Sequence, residues 1–429
     1  MKRMLSFLLA AVLLLAAVGC QTVPATAPET EPTSAVTEAP TAPDTEAPTV
    51  PNTEETPTEP DTAPDTEPPV ETSETTSGGT TKTTAKPVSK QPISADSPKN
   101  GASLSLGNEI ISRFLDGYEP GTASAYLEEK PAELAPMKEC RLSWTSNVAA
   151  DYYNVVVGTD KKFTDAVRFV TTETSVTLKA PKTDVTYYWQ VTASVDGKNV
   201  VSDLFTFSVG WTPRCFAVEG VSNVRDLGGW LVGDGSKKVK EGMVYRSGTL
   251  DGIKAAGREV MLGELGIVSD LDLRAANEGT AGKGSPLGED TNYILAYTTG
   301  GAHYDDMYAD KAKVLAKEIK VFADPANYPI DIHCSVGRDR TGTLVFALLT
   351  LLGVDSEDIY TEYELSFFST VGWSDNCASF FAGIKRITGS VKAYSGATPA
   401  EKMENFLISN GVTAEEIATI RKLLIEEAH

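Results

Sequence analysis

The sequence predicts a multidomain chain: an all-β sandwich, then an α/β domain with a mainly parallel central sheet flanked by helices. Three observations predict it. Between 99 and 210, β-branched and aromatic residues fall in short runs separated by turn residues. From 211 to 429, short apolar strands alternate with helical periodicity. Ahead of both, residues 21–98 are rich in Thr, Pro, Glu and Ala and hold few large apolar side chains, so burial cannot offset the entropy of folding.

The first element, over residues 1–20, is an export signal. Lys2 and Arg3 are basic, and Leu5 to Val18 are apolar. That run is shorter than the roughly 20 residues a membrane span needs. Ala17, Val18 and Gly19 then lead into Cys20. The pattern resembles the lipobox of bacterial lipoproteins, although that family prefers Leu where Ala17 stands. The resemblance implies that Cys20 is lipidated and holds the protein to the outer face of the bacterial cell membrane, at the cell surface. The next segment, 21–98, is read as a disordered linker, extended by its prolines and its own charge. It holds fourteen acidic residues and three lysines, about half of the chain's net charge of -21. This balance excludes a nucleic-acid surface, which needs clustered Lys and Arg.

Within 99–210, the runs CRLSWTS, YYNVVVGTD, AVRFVTTETSVTL, TYYWQVTASVDG and LFTFSVG alternate as strands do. They resemble a fibronectin type III module, with Trp144, Tyr153 and Trp189 as core aromatics. Two roles stay open for it: a module binding a wall or host ligand, or a spacer packed on the next domain. The chain has five cysteines. With Cys20 lipidated, the spacing of Cys140, Cys215, Cys334 and Cys377 supports no disulfide framework.

In the 211–429 domain, GMVYRSG, IVSDLDLR and YPIDIHC read as strands. YDDMYADKAKVLAKEIKVFAD, TGTLVFALLTLLG, SEDIYTEYELSFF, AEKMENFLISNG and TAEEIATIRKLLIEEA read as helices. Chemistry concentrates where YPIDIHC meets the following helix. Cys334 ends the strand, and Arg340 stands at the helix start. A loop between them directs backbone N–H groups inward and adds the positive end of the helix, which makes an oxyanion cradle. The same field lowers the pKa of Cys334 and makes it nucleophilic. Arg340 can grip two phosphoryl oxygens. Ser335, Val336, Gly337 and Arg338 form the cradle, and Gly337 permits a positive φ. Thr341 is placed to donate to the thiolate, and His333 orients the loop from behind.

This stretch, HCSVGRDRT, resembles the His-Cys-x5-Arg-Ser/Thr signature of the Cys-based protein tyrosine phosphatase superfamily. SNVRDLGGW (Ser222–Trp230), YRSGTL (Tyr245–Leu250) and LDLRAANE (Leu271–Glu278) bring it closer to a bacterial branch of secreted tyrosine and lipid phosphatases. The resemblance implies hydrolysis of phosphomonoesters through a phosphocysteine on Cys334, with no metal and no cofactor. The expected partner is a phosphotyrosine protein or a phosphoinositide; the alternative is a non-catalytic cell-surface binding protein whose phosphatase-like domain only binds phosphate. Arg246, Ser247 and Arg274 are expected behind the site. Two general acids stay open: Asp272, which aligns with the acid assigned in the family, and Asp339 in the loop itself. Asp305 and Asp306 are further candidates. One departure is Arg338, where the family usually has Lys; a second cation there favours substrates with more than one phosphate. Arg225 and Asp226 are expected to pair with each other.

Overall fold

A computed structural model describes residues 91–126, 136–296, 310–369 and 388–428. The chain divides into two units, Met1–Thr84 and Ala85–His429, and the described residues all belong to the second. The expected export signal, Cys20, the linker up to residue 90, Asp305, Asp306 and Cys377 lie outside them.

Alternating apolar residues build two sheets in the first part of the second unit. One orders β1 (Ile93–Ser97), β3 (Cys140–Ser146) and β6 (Ser175–Leu178). The other orders β2 (Ala102–Leu104), β9 (Phe205–Val209), β7 (Val185–Val195), β4 (Tyr152–Gly158) and β5 (Val167–Thr171), with β8 (Lys198–Val201) on β7. Inward residues of both sheets share one core that includes Trp144, Tyr153 and Trp189. Trp144 and Tyr153 meet edge to face at 5.2 Å. The first strand begins at Ile93, ahead of the expected boundary at 99.

Not all of this segment is β. Helix α1 (Glu109–Asp116) is capped by the Asn108 side chain, which accepts from the Ile110 N–H. Its Ile111 and Phe114, with Ala123, belong to the core of the following domain. Phe114 lies 5.1 Å from Phe368, centroid to centroid. The Tyr118 hydroxyl and the N–H groups of Gly121 and Ala123 all donate to Glu364. Residues 109–126 therefore strap the core of the second part rather than that of the two sheets.

The second part carries a five-stranded sheet in the order β10 (Arg225–Asp226), β13 (Val244–Ser247), β16 (Ile330–His333), β14 (Ser269–Asp272), β15 (Asn292–Leu295). Only the β10–β13 pairing is antiparallel. Val244, Ile330, Ile332 and Leu271 face the larger core. That core is covered by α3 (Asp310–Lys320), α4 (Asp339–Leu352), α5 (Ser356–Glu364), α6 (Pro399–Ser409) and α7 (Ala414–Leu424). Tyr245 faces a smaller core around α2 (Ala255–Arg258) and the π-helical Glu259–Glu264 that continues it. Helix α4 is buried from Thr341 to Leu352 and stops at Gly353, whose φ of 91° suits a left-handed cap. The last expected helix is shorter than its periodicity: Ile425–Glu427 turns into strand β17 and pairs with β12 (Lys237–Val239), which also pairs with β11 (Leu231–Val232).

The sandwich is seated on the sheet domain by buried polar groups. Thr183 donates its N–H and hydroxyl to Glu241 at 2.9 and 2.5 Å. Arg214 donates to the carbonyls of Pro181 and Ala180 and pairs with Asp226. Phe114→Ala removes an aromatic side chain from the strap with no exposed surface, so it should cost about 3–5 kcal/mol. The loss is read as a lowered urea midpoint of the intact chain.

Candidate active site

β16 is central and buried at all four positions. Being parallel to both neighbours, it delivers its carboxyl end, His333 and then Cys334, to the edge where the next helix begins. Helix α4 starts at Asp339, so residues 334–338 form the turn. Gly337 has φ 71°, and a β-carbon there would stand 2.1 Å from the Ser247 carbonyl oxygen. Only glycine fits.

Cys334 is 2 % exposed, and the Gly337 N–H points at its sulfur from 3.2 Å. Burial alone would raise the thiol pKa. The Thr341 hydroxyl and N–H, Arg340 and the Gly337 N–H outweigh it, and the pKa lies below its ordinary value. The Thr341 hydroxyl is fully buried and is the first of the groups that lower the thiol pKa.

Arg340 is held in place by a residue the sequence reading did not single out. Its two terminal nitrogens donate to both oxygens of Glu278 at 2.7 and 2.8 Å, and one also reaches the Ser335 hydroxyl at 3.0 Å. Ser335 donates in turn to Glu278. The bonds from Arg340 hold the Glu278 carboxyl at a pKa of about 2 against its partial burial. Glu278 closes the LDLRAANE motif, and that position was its only signal.

Behind the loop, Arg246 donates to the Gly337 carbonyl at 2.5 Å and to Glu362 at 2.7 Å. Asn223, at φ 64°, donates to the same carbonyl at 3.1 Å. Arg225 donates to Glu362 at 2.8 Å, to Ser366 at 3.0 Å and to Asn223. The expected pairing of Arg225 with Asp226 does not form. Neighbours on a strand point to opposite faces, so Arg225 reaches α5 while Asp226 reaches Arg214. Glu362 was also missed. Its helix is buried at Ile359 and from Thr361 to Glu364, so spacing alone did not mark it.

The two acid candidates separate by environment. Asp272 is fully buried and grips Arg274 with both oxygens at 2.9 Å, and it also accepts from the Tyr293 hydroxyl at 3.0 Å. Burial opposes its charge, but Arg274 and His333 prevail and its pKa is lowered. Asp272 is thus held by a cation beneath the turn. Arg274 also bonds Thr249 and Asp251. Asp339 begins α4 beside the loop and is a quarter exposed, with Arg338 reaching it at 3.2 and 3.4 Å. The guanidinium of Arg338 thus turns onto Asp339, which weakens the expectation of a spare cation for a second phosphate.

His333 is fully buried. Its Nδ1 lies 3.2 Å from the Cys334 carbonyl oxygen, and its Nε2 lies 2.9 Å from Asp270. Cys140, Cys215 and Cys334 are all unbonded thiols.

Residues 216–426 match the tyrosine phosphatase family. A protein of Cupriavidus necator, provisionally named a tyrosine-protein phosphatase, is 30% identical over 169 residues, which cover 34% of this chain and 61% of the relative. A Dictyostelium discoideum protein of similar provisional name is 31% identical over 75 residues, which cover 18% of this chain and 45% of the relative. The chain thus spans less than two thirds of either relative. Among solved structures, the core catalytic domain of the PP-IP phosphatase Siw14 from S. cerevisiae aligns at 18% identity and a TM-score of 0.27, covering 48% of this chain and 94% of that one.

Glu362→Gln leaves the charges of Arg225 and Arg246 buried without their anion. It should destabilise the folded chain by about 3–5 kcal/mol, and denaturant titration of the purified protein reads the loss.

Proposed function

With residues 216–426 matching the tyrosine phosphatase family, we propose that the chain is a phosphomonoester hydrolase, foremost a protein-tyrosine phosphatase. One observation carries the reading: Cys334 is a buried thiol favoured as thiolate, at the floor of a turn whose N–H groups and Arg340 converge on it. In the first step Cys334 Sγ attacks phosphorus and the bond to the leaving oxygen breaks. Asp339 protonates that oxygen. Water then attacks the phosphocysteine, the P–S bond breaks, and inorganic phosphate leaves. The Thr341 hydroxyl steadies the departing thiolate. Arg340 and the turn amides carry the phosphoryl charge in both steps, with Glu278 fixing the guanidinium. No metal enters this scheme.

The carboxylates of Asp251 and Glu278 are partly exposed beside the turn, and a β-carbon on Gly279 would touch Asp251, so the two are neighbours. The paired sheets are proposed to be a fibronectin type III-like module serving as the catalytic domain's support. Cys20 is proposed as the lipid anchor at the outer face of a bacterial membrane.

Cys334→Ser should abolish hydrolysis of p-nitrophenyl phosphate at pH 5–8 under reducing conditions. Asp339→Asn should lower kcat about 10²–10⁴-fold for phosphates with poor leaving groups and far less for good ones. Asp272→Asn should lower thermal stability without that dependence. A chain with Cys20→Ala should move from the membrane fraction to the soluble one on cell fractionation.

A further inference from the structure

Helix α3 carries a group that no step above uses. Leu315, Glu318, Ile319 and Phe322 recur at the three- and four-residue spacing of one helix face, and all four are buried. Leu315 and Ile319 share the larger core with Leu344 and Leu348 of α4, the helix that begins beside Arg340. The spacing calls for an apolar side chain at position 318, and the chain has a carboxyl there. Glu318 is 3 % exposed, and its Oε1 has no hydrogen-bond partner. A buried polar atom left unpaired opposes folding, so it calls for a reason other than packing.

The charges around Glu318 are few. Among the described residues, the Arg340 guanidinium is the one that favours its ionised form. The other ionisable side chain of α4 is Asp339, which lies against Arg338 at 3.2 Å. On α3 itself Lys313 and Lys317 are exposed, and Lys320 pairs with Glu416 of α7 at 3.3 Å. Val321–Ala323, which continues α3, has no ionisable side chain. In the strands beneath, Asp270, Asp272, Asp331 and His333 alternate with Leu271 and Ile332 of this core and so point to the sheet's other face. Arg340 gives its terminal nitrogens to Glu278. Burial outweighs the pull of Arg340 and lifts the Glu318 carboxyl to about 8.

We infer that Glu318 is a positioning residue acting through Arg340: as the neutral acid it leaves the guanidinium's charge to an oxyanion in the turn, and as the anion it competes for that charge. The inference rests on the phosphatase reading for the identity of the oxyanion, a phosphoryl group. The sign is that of a raised carboxyl: Glu318 is neutral below about pH 8 and ionised above it. An oxyanion in the turn therefore binds best below that pH and more weakly above it. The coupling is reciprocal, so a bound oxyanion keeps the proton on Glu318. Glu318 thus sets an alkaline limit on the affinity of the turn without touching the substrate.

The test is calorimetric titration of tungstate, a dianion of phosphate shape that does not itself titrate here, into the intact chain at pH 7 and at pH 9.5. Glu318→Gln keeps the shape of the neutral acid and cannot ionise, and Glu318→Leu restores the apolar stripe. At pH 7 the wild type and both variants should bind alike. At pH 9.5 the wild type should bind about tenfold more weakly than either variant, which corresponds to one pKa unit of mutual effect. Groups that titrate in all three proteins cancel in this comparison. A ratio of wild type to variant that does not change with pH would overturn the inference. A second measurement needs no ligand: urea midpoints between pH 5 and pH 9. The unfolded chain ionises Glu318 at the ordinary carboxylate value, while the folded chain keeps the proton to about pH 8. The wild type should therefore lose stability relative to Glu318→Gln as pH rises across that interval. Parallel curves mean a Glu318 that is already ionised, and they sink the idea. Neither readout requires turnover, so a wild-type protein that shows both effects and is inert toward p-nitrophenyl phosphate would refute the phosphatase reading alone.

Discussion

A turn that aims its N–H groups at one point must aim carbonyls the other way, and buried carbonyls need donors. That constraint organises the five-stranded sheet and its helices. The Gly337 carbonyl takes Arg246 and Asn223, and the Ser335 carbonyl takes the Thr249 N–H. Arg246 is a buried cation and needs an anion, which Glu362 supplies; Glu362 is shared with Arg225, which in turn grips Asn223. The anion cradle in front is therefore the visible half of a polar lattice whose other half lies between the sheet and α5.

The two faces of the sheet divide this labour. Toward α4 and α5, arginines and one glutamate brace the turn's backbone. Toward α2, aspartates and one histidine lie below the nucleophile. The alternation of strand side chains makes the division possible: Arg246 and Ser247 are neighbours in sequence and serve opposite faces.

Much of this was legible in the sequence, and the limits have physical causes. The turn from His333 to Thr341 was readable because its chemistry is local: nucleophile, glycine and cation lie within a few residues. The strands were readable because burial imposes alternation. Glu362 was not, because a glutamate on an exposed helix face and one buried against two arginines look alike until the arginines, far off in sequence, are brought to it. Helix α1 was passed over inside a run of strands, although Asn108 followed by Ile110, Ile111, Phe114 and Leu115 is a cap and an apolar stripe. Its core partner lies in another domain, so nothing nearby in the sequence marked its purpose.

That strap has a consequence for the order in which the protein is made. Tyr118 and Glu364 are 246 residues apart. At about 5–20 residues per second, the strap emerges from the ribosome about 12–50 s before the helix it grips. Through that interval the apolar side of α1, Ile111 and Phe114 among it, has no native surface to cover it. The sandwich strands on either side can close in the meantime, which leaves α1 as a sticky loop on an otherwise finished module. The nascent chain thus carries an uncovered apolar stripe well before the turn that follows His333 is made.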